Sequence, residues 1–340
     1  MPAEWGFLAS DWVPAWSDSY LPFARWRRPC RYLTLRDESG ALTGVLPLAT
    51  MQFGPLKFAA GAGHFLPCRG VALACDPEVL GPACATLADA LADVIRPRVG
   101  LRLGPVAAHD PMCNSLARAL QARGWAVATK VLGTSFVVEL PQSVADFNNM
   151  CGGILKKASY YERRLRKTGT LEIAHHQGLA AEAWAKPLGE MAAIERSSWI
   201  PGRHGSVVFD TPQAQGFWRR VLADDFLSAS FRLWIMYLDG RPISFSCNLD
   251  AGKTTYILAN LYDVAFKNHS CGSILARHVI SGAIADGRKL IDWGQGDSGY
   301  KQRWGAKPGH AVHDLLALPP RPMARILKRL IDGRSGYQFR

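Results

Sequence analysis

A turn of small residues ahead of an apolar helical segment is the first feature of this sequence suited to binding a charged ligand. The turn follows the strand-like segment 254–262 and its connector, and it precedes ILARHVI. Such a turn groups backbone N–H donors at the positive end of a helix dipole, which suits a phosphate-rich ligand. An ordinary helix start with a serine cap is the alternative. The turn residues are His269, Ser270, Cys271, Gly272 and Ser273.

Side chains able to transfer protons lie on both sides of this turn. Asp292 follows an apolar run, where a carboxylate is costly unless it is hydrogen-bonded, and Asp297 and Tyr300 come shortly after it. Glu195 lies four residues before Trp199, so the two side chains share one helix face and could frame a pocket. These groups are the candidates for a base and a proton donor.

Two similar sets of strands and helices are predicted to position these residues. Hairpins with polar turns are expected at 31–50 and 232–249, and in each half a helix precedes a returning strand. Antiparallel hairpins argue against a doubly wound parallel sheet, and no G-x-G-x-x-G or Walker loop is present. The other predicted elements are helices near 82–95, 111–123, 180–198, 212–227 and 272–286 and strands at 125–131, 134–140, 171–176 and 254–262. The fold class is therefore α+β, with two tandem modules of mostly antiparallel mixed sheet flanked by helices.

Positive charge is concentrated in two segments. The 340 residues carry a formal net charge of +12, and the segments 154–169 and 321–340 each hold six basic residues against one acidic residue, a net of +5. Such an excess favours a polyanionic partner. The second segment forms a basic amphipathic tail, which either contacts an anionic membrane surface or packs on its own domain. Its apolar stripe is Met323, Ile326, Leu327, Leu330 and Ile331.

The composition excludes several other classes. The content is 48% hydrophobic and 20% charged, which is that of a globular protein, and no run of about 18 uncharged apolar residues occurs. The eight cysteines form no C-x-x-C pair, so neither a zinc site nor a disulfide framework is expected, and no metal is predicted. The N-terminus lacks the pattern of a signal peptide. We therefore expect a cytoplasmic protein, with peripheral contact at the inner face of the membrane through its basic segments.

The segment 145–305 carries a family resemblance. Its most specific motif is GD-x-x-YK-x-x-W, from Gly296 to Trp304, after LWIMYLDGRPISFSC and the turn region. The segment resembles the acetyltransferase-like family of the bacterial cellulose-biosynthesis type, in the GNAT superfamily. More distantly, it is similar to the peptidoglycan-bridge aminoacyl transferases, which have two GNAT-like modules. The resemblance implies a degenerate GNAT-like module at 1–144, an acyltransferase module at 145–318 and a basic tail at 319–340.

The resemblance also implies roles for the candidate residues. Acyl-coenzyme A would be held by the turn at 269–273 together with Leu258 and Asn260, although His269 and Ile274 depart from the usual motif. A backbone N–H between Leu258 and Leu261 would stabilise the oxyanion. The general base would be Asp297, Glu195 or Asp292, with His269 and His278 as further candidates, and Tyr300 would protonate the leaving thiolate. The acceptor-binding residues would be Trp199, Tyr262, Lys301 and Trp304.

Some assignments stay open at this point. Lys301 could form a structural ion pair with Asp297, and Trp304 could be a packing residue. The helix N-terminus is expected to lower the pKa of Cys271, which leaves an acyl-cysteine as an alternative.

Three hypotheses follow for function. The first is an acyl-coenzyme A-dependent N-acyltransferase whose acceptor is an amine on a lipid or other amphipathic molecule, such as a sphingoid-type amino alcohol, or on a saccharide. The second is an aminoacyl-tRNA-dependent transferase, in which the basic segments would contact RNA phosphates. The third is a non-catalytic scaffold in envelope polysaccharide assembly. Under the first hypothesis, nucleic acid is not an expected partner.

Overall fold

The chain forms two compact units, and each is an α/β assembly of its own. The computed structural model describes residues 10–21, 25–63, 80–200, 208–296, 299–331 and 336–339. The units are Met1–Thr134 with His310–Arg340, and Ser135–Gly309. The division lies ten residues before the expected boundary at 144 and falls within strand β5 (Ala126–Glu139), which continues through positions predicted to separate two strands. The tail at 319–340 belongs to the first unit rather than forming a separate segment.

The first unit is built on a hairpin, as predicted. Besides part of β5, its elements are α1 (Trp12–Tyr20), β1 (Trp26–Arg36), β2 (Leu42–Phe53), β3 (Leu56–Gly61), α2 (Leu80–Val94), β4 (Gly100–Ala107), α3 (Pro111–Ala122), β11 (Lys307–Leu318), α10 (Pro322–Ile331) and β12 (Gln338–Phe339). Strands β1 and β2 pair antiparallel, β2 and β3 pair antiparallel, and β3 and β4 pair parallel. Strand β11 pairs antiparallel with β4, and the short strand β12 pairs antiparallel with β5.

The amphipathic tail helix α10 packs on its own unit. Ala324 and Leu327 are buried against Phe58 and Leu318, whereas Ile326 is exposed. The side chains of Met323 and Leu330 lie outside the described residues. Because the buried part of the apolar stripe already contacts protein, it cannot also enter a bilayer, so packing on the domain accounts for this part of the pattern.

The second unit contains the basic helix and the turn region. Its strands follow the order β5, β10 (Leu290–Gln295), β9 (Thr254–Tyr262), β8 (Arg241–Ala251), β7 (Phe231–Leu238), β6 (Leu171–His176), and among the described residues of this unit only β9 and β10 pair in parallel. Three 3-10 helices, Ala181–Trp184, Val264–His269 and Lys301–Trp304, lie among the described residues. The other elements are α4 (Val144–Met150), α5 (Gly152–Arg166), α6 (Ala185–Arg196), α7 (Pro212–Val221), α8 (Asp225–Ser230) and α9 (Cys271–Ala285).

Helices cover both faces of the sheet in this unit. Alternate residues of a strand point to opposite faces. Trp234 on β7 contacts α9, where a Cβ at Gly282 would lie 3.2 Å from its ring. Phe231 on the same strand contacts Trp184 and Trp218 on the opposite face. The turn between β7 and β8 is Asp239-Gly240, where both residues have positive φ, as a two-residue type I′ hairpin requires.

Both units repeat one arrangement, in which a strand, a helix and a parallel strand follow one another. This arrangement is β3, α2 and β4 in the first unit and β9, α9 and β10 in the second. The predicted class, two modules of mostly antiparallel mixed sheet flanked by helices, is thereby confirmed. Within the described ranges, every helix is too short or too polar to cross a bilayer.

Candidate active site

The parallel strands β9 and β10 separate next to the start of helix α9. Their register runs only from Leu290 opposite Thr254 to Asp292 opposite Tyr256. Strand β9 nevertheless continues to Tyr262, paired on its other edge with β8. Beyond Tyr256, therefore, the edge of β9 that faces β10 no longer takes part in this ladder. Backbone donors and acceptors at such an edge are available to a ligand.

A β-bulge lies in this unpaired stretch of β9. Ala259 is opposite Cys247 and Ile257 is opposite Asn248, so Leu258 is the extra residue. The extra residue of a bulge is not paired with the neighbouring strand, and the bulged strand bends at that position. The bulge falls at the start of the stretch in which a backbone oxyanion donor was predicted.

The turn before α9 has an unusual backbone conformation. Ser270 is left-handed, with φ 51° and ψ 37°, and it follows the 3-10 helix Val264–His269. A helical residue followed by a left-handed one aims successive N–H groups into a concavity that attracts anions. Ser270 makes no side-chain cap, whereas its carbonyl accepts from Ser273 N at 2.9 Å and Ile274 N at 3.1 Å. The serine-cap alternative is therefore wrong, and the geometry suits an anion.

Asn260 on β9 fixes the first turn of α9 against the strand. Its Nδ2 donates to the carbonyl of Gly272 at 3.1 Å. A Cβ at Gly272 would lie 3.0 Å from Asn260 Oδ1, so a larger residue would displace this side chain. Gly272 is thus needed for close approach of helix and strand. Asn260 Oδ1 is buried and has no hydrogen bond to a described residue.

Tyr300 and Trp293 add further buried polar atoms without partners on this side of the sheet. Their rings meet edge to face with centroids 5.4 Å apart. Neither the Tyr300 hydroxyl nor Trp293 Nε1 has a partner at hydrogen-bond distance in the described part of the chain. Burial raises the pKa of Tyr300 above its ordinary value, and the side chain of Asn260 acts in the opposite direction. Tyr300 therefore keeps its proton at neutral pH, as a proton donor must.

Two residues of the turn differ from expectation. The Cys271 side chain is fully buried, and burial raises the pKa of its thiol to about 12, which outweighs the effect of the helix N-terminus. The expected lowering of this pKa is wrong, and only the backbone of Cys271 is suited to hold a ligand. Ile274 is also fully buried and packs in the core with Met236, so its bulk does not obstruct the turn. His269 Nδ1 is buried without a hydrogen-bond partner among the described residues.

The candidate carboxylates have different surroundings. Asp292 is buried and accepts hydrogen bonds from the Ser135 hydroxyl and, at 2.7 Å, from Gly294 N. These bonds offset the cost of burying the carboxylate at the strand end. Asp297 lies outside the described residues.

Glu195 has the contacts of a structural carboxylate. It is 1% exposed and accepts three backbone N–H bonds, at 2.7 to 2.9 Å. Its donors are Val208, Phe209 and Asp210. Both carboxylate oxygens are engaged in holding the segment 208–210 in place. The contacts of Glu195 therefore indicate a structural role rather than the predicted role as a base.

The predicted acceptor residues differ in burial and in contacts. Trp304 is fully buried and stacks on Phe147 with centroids 6.3 Å apart, so packing explains it and substrate contact does not. Lys301 is buried, and its Nζ donates to two carbonyls at the end of β10, each at 3.0 Å. Tyr262 is half-buried at the end of β9, and Trp199 is 42% exposed.

Sequence reasoning missed two residues of this region. Asn248 is fully buried on β8, opposite Ile257, and its Nδ2 has no partner among the described residues. Gln295 Nε2, at the end of β10, is likewise buried and unpartnered there. The alternation of Ser244, Ser246 and Asn248 in an apolar strand was the available signal, because it places three polar residues on one face.

The segment that carries this site resembles known proteins in sequence. Residues 154–302 match the family model described as an acetyltransferase (GNAT) domain. The expected relationship to this superfamily is thus confirmed for the second unit, whereas the narrower cellulose-biosynthesis type is not what the model describes. A comparison with curated proteins finds no significant match.

Solved structures extend the likeness to both units. FemX superposes with a TM-score of 0.63 at 11% identity, over 95% of this chain and 94% of that chain. L-PGS from Bacillus licheniformis gives 0.56 at 11% identity, over 98% and 96% of the chains. The C-terminal domain of a putative lysylphosphatidylglycerol synthetase from Agrobacterium fabrum gives 0.54 at 11%, over 96% and 98%. At such identities these matches establish the fold and nothing further.

Proposed function

We propose that the second unit is an acyl-coenzyme A-dependent N-acyltransferase whose acceptor is an amine on a lipid or other amphipathic molecule. The observation that carries the proposal is the separation of β9 from β10 beside the left-handed turn at Ser270. Together they provide a strand edge that can pair with the extended, amide-containing arm of coenzyme A, and a concavity of backbone N–H groups that can bind the diphosphate of the same cofactor. These are the two recognition elements that such a donor requires.

The donor would be held mainly by backbone. The turn at 269–273 would offer the backbone N–H groups that precede Ser273 to the diphosphate, since Ser273 N–H already donates to the Ser270 carbonyl, and Asn260 keeps this turn against β9 through Gly272. The unpaired edge of β9 after Tyr256 would bind the arm. When bound, the thioester supplies an electrophilic carbonyl carbon and a thiolate leaving group.

Three groups of the chain would serve the transfer. The N–H of Leu258, in the bulge, would stabilise negative charge on the carbonyl oxygen as the acceptor nitrogen attacks. A C–N bond forms, the C–S bond breaks, and the Tyr300 hydroxyl gives its proton to the departing sulfur. The proton lost by the acceptor nitrogen would pass to Asp297, which we retain as the base because Asp292 and Glu195 are engaged in structural hydrogen bonds.

Exposed apolar side chains support an amphipathic acceptor. The 3-10 helix after β9 begins at Val264, whose N–H donates to the carbonyl of Ser197 at 3.0 Å. This bond brings the segment that carries Trp199 to the end of β9. Trp199 is 42% exposed and Val264 is 45% exposed. Apolar side chains beside a transfer site suit an acceptor with an aliphatic part.

Thiol release from a panel of acyl-coenzyme A donors, with and without lipid amines, tests the proposal. We expect release that depends on both the donor chain length and the amine. Aminoacyl-tRNA and saccharide amines are run in parallel. Activity only with aminoacyl-tRNA would replace the donor that we propose, and activity only with saccharides would replace the acceptor. Inactivity with every donor, from protein shown to be folded, would favour the non-catalytic scaffold.

A further inference from the structure

Helix α5 exposes a row of cations along one side. Its opposite side is buried in the second unit through Leu155, Ala158 and Leu165. Within the described part of the chain, no ion pair neutralises the five exposed cations of the row. These cations are Lys156, Lys157, Arg163, Arg164 and, just after the helix, Lys167.

The acidic residue of the helix does not offset this charge. Glu162 is buried and pairs with Arg166 at 3.0 Å and with Arg277 on α9. Beyond the helix, Asp239 accepts the N–H of Thr170 at 2.8 Å and lines the same depression as Lys167, so its charge acts only at that end of the row. The five exposed cations therefore outnumber the one carboxylate beside them and give this side a net positive charge.

Three of the five cations lie on one line along the helix, which also includes an aromatic side chain. Positions 156, 160, 163 and 167 recur every three or four residues, and at 1.5 Å per residue they span about 17 Å. Lys157 and Arg164 lie about a quarter turn to one side of this line. Tyr160, at the centre, is 54% exposed. Met150, two residues before the helix, is 64% exposed. Both are large side chains that present an apolar part to solvent.

We propose that this side of α5 binds the surface of an anionic lipid bilayer. The five cations occupy one exposed side of the helix, so long Lys and Arg side chains on that side can reach a common plane, and each cation near such a surface gains electrostatic attraction. Tyrosine and an exposed aliphatic side chain suit the headgroup layer, where one end of the side chain is apolar and the other is wet. RNA would also attract the cations but gives no role to Met150, so RNA is treated as the competing outcome.

This inference goes beyond the proposed function and does not depend on it. Lipid binding is measured without donor or acceptor, so its failure leaves the transfer reaction untouched. It also narrows the expectation that both basic segments contact a membrane, because α10 buries Leu327 in its own unit. The basic segment at 154–169 is thus the membrane-binding one.

Vesicle sedimentation with two charge-matched triple variants tests the proposal. The test variant is Lys157→Gln, Arg163→Gln and Arg164→Gln. The control variant removes three exposed cations elsewhere in the second unit, Arg219→Gln, Lys253→Gln and Lys289→Gln. Both lower the formal charge by three, so a difference between them reports position and not net charge.

We expect the full chain to bind vesicles of phosphatidylglycerol and phosphatidylcholine in equal parts, and to bind pure phosphatidylcholine weakly. At about a fivefold gain per cation, the test variant should lose on the order of 100-fold in partitioning, while the control stays within a few fold. Tyr160→Ser should weaken binding at high salt, where screening leaves the apolar contribution.

Equal losses in both variants would overturn the proposal, since binding would then follow net charge alone. Failure of the wild type to bind anionic vesicles would also overturn it. The row would be a nucleic-acid surface instead if a folded RNA binds the wild type at low salt, binds the test variant more weakly, and is not displaced by anionic vesicles. Circular dichroism of each variant confirms that the fold is retained.

Discussion

Replacing Tyr300 by phenylalanine separates catalysis from stability more cleanly than any other single change in this site. The hydroxyl is buried, and in the described part of the chain it has no hydrogen-bond partner. Burial raises its pKa, so the group is a neutral O–H throughout the physiological range. Removing it takes away a proton donor without breaking a bond that holds the fold.

The two expected magnitudes differ in size. Loss of a general acid typically lowers the rate by 10²- to 10⁴-fold, which corresponds to about 3 to 5 kcal/mol of transition-state stabilisation. For folding, the hydroxyl contributes only a weak interaction with the Asn260 side chain. The free energy of unfolding should therefore change by no more than about 1 kcal/mol.

The assay combines single-turnover acyl transfer with urea unfolding. Tyr32→Phe, a half-exposed tyrosine of the first unit, is the control and should transfer at the wild-type rate. For Tyr300→Phe we expect a lower rate at saturating donor with donor affinity unchanged. A wild-type rate in Tyr300→Phe would refute the role of this hydroxyl. Unfolding at much lower urea would show that the hydroxyl has a structural partner instead.

Three further changes test the structural assignments. Glu195→Gln should lower the free energy of unfolding by about 2 to 4 kcal/mol in urea titrations, because a carboxylate that accepts three backbone N–H bonds is lost, while the folded fraction stays active. Trp304→Ala should cost about 3 to 5 kcal/mol by the same measurement and leave acceptor KM unchanged, and a raised KM alone would restore a binding role. Burial lowers the pKa values of His175, His176 and His278, so the unfolded chain binds more protons than the folded chain below pH about 6.5. The urea midpoint should therefore fall as pH decreases from about 6.5, and a midpoint that rises would contradict these directions.

Local patterns predicted most of the elements. The polar turn before Ala41 and the Asp239-Gly240 pair correctly indicated hairpins, since turn chemistry acts over a few residues. The helix that begins at Cys271 was placed within one residue, because a turn of small residues precedes a long apolar run. These features depend only on neighbours in sequence.

Assignments that depend on tertiary contacts were less accessible. The thiol of Cys271 was judged by its helix position, but burial decides its pKa. Glu195 has a side chain that can act as a catalytic base. Its structural role is evident only from the three backbone N–H groups, 13 to 15 residues later in the chain, that donate to it. Asn248 was overlooked because nothing local shows that its amide is buried and unpartnered among the described residues. Such facts arise only when distant segments meet.

Calorimetric titration of coenzyme A into the wild type, Gly272→Ala and Gly189→Ala tests the donor site most directly. A Cβ at Gly272 would press on Asn260 at 3.0 Å, whereas a Cβ at Gly189 meets no atom within 4 Å. We predict one saturable site in the wild type, weaker binding in Gly272→Ala and wild-type affinity in Gly189→Ala. A wild type that binds no coenzyme A by calorimetry or equilibrium dialysis, or two variants with equal affinity, would contradict the account.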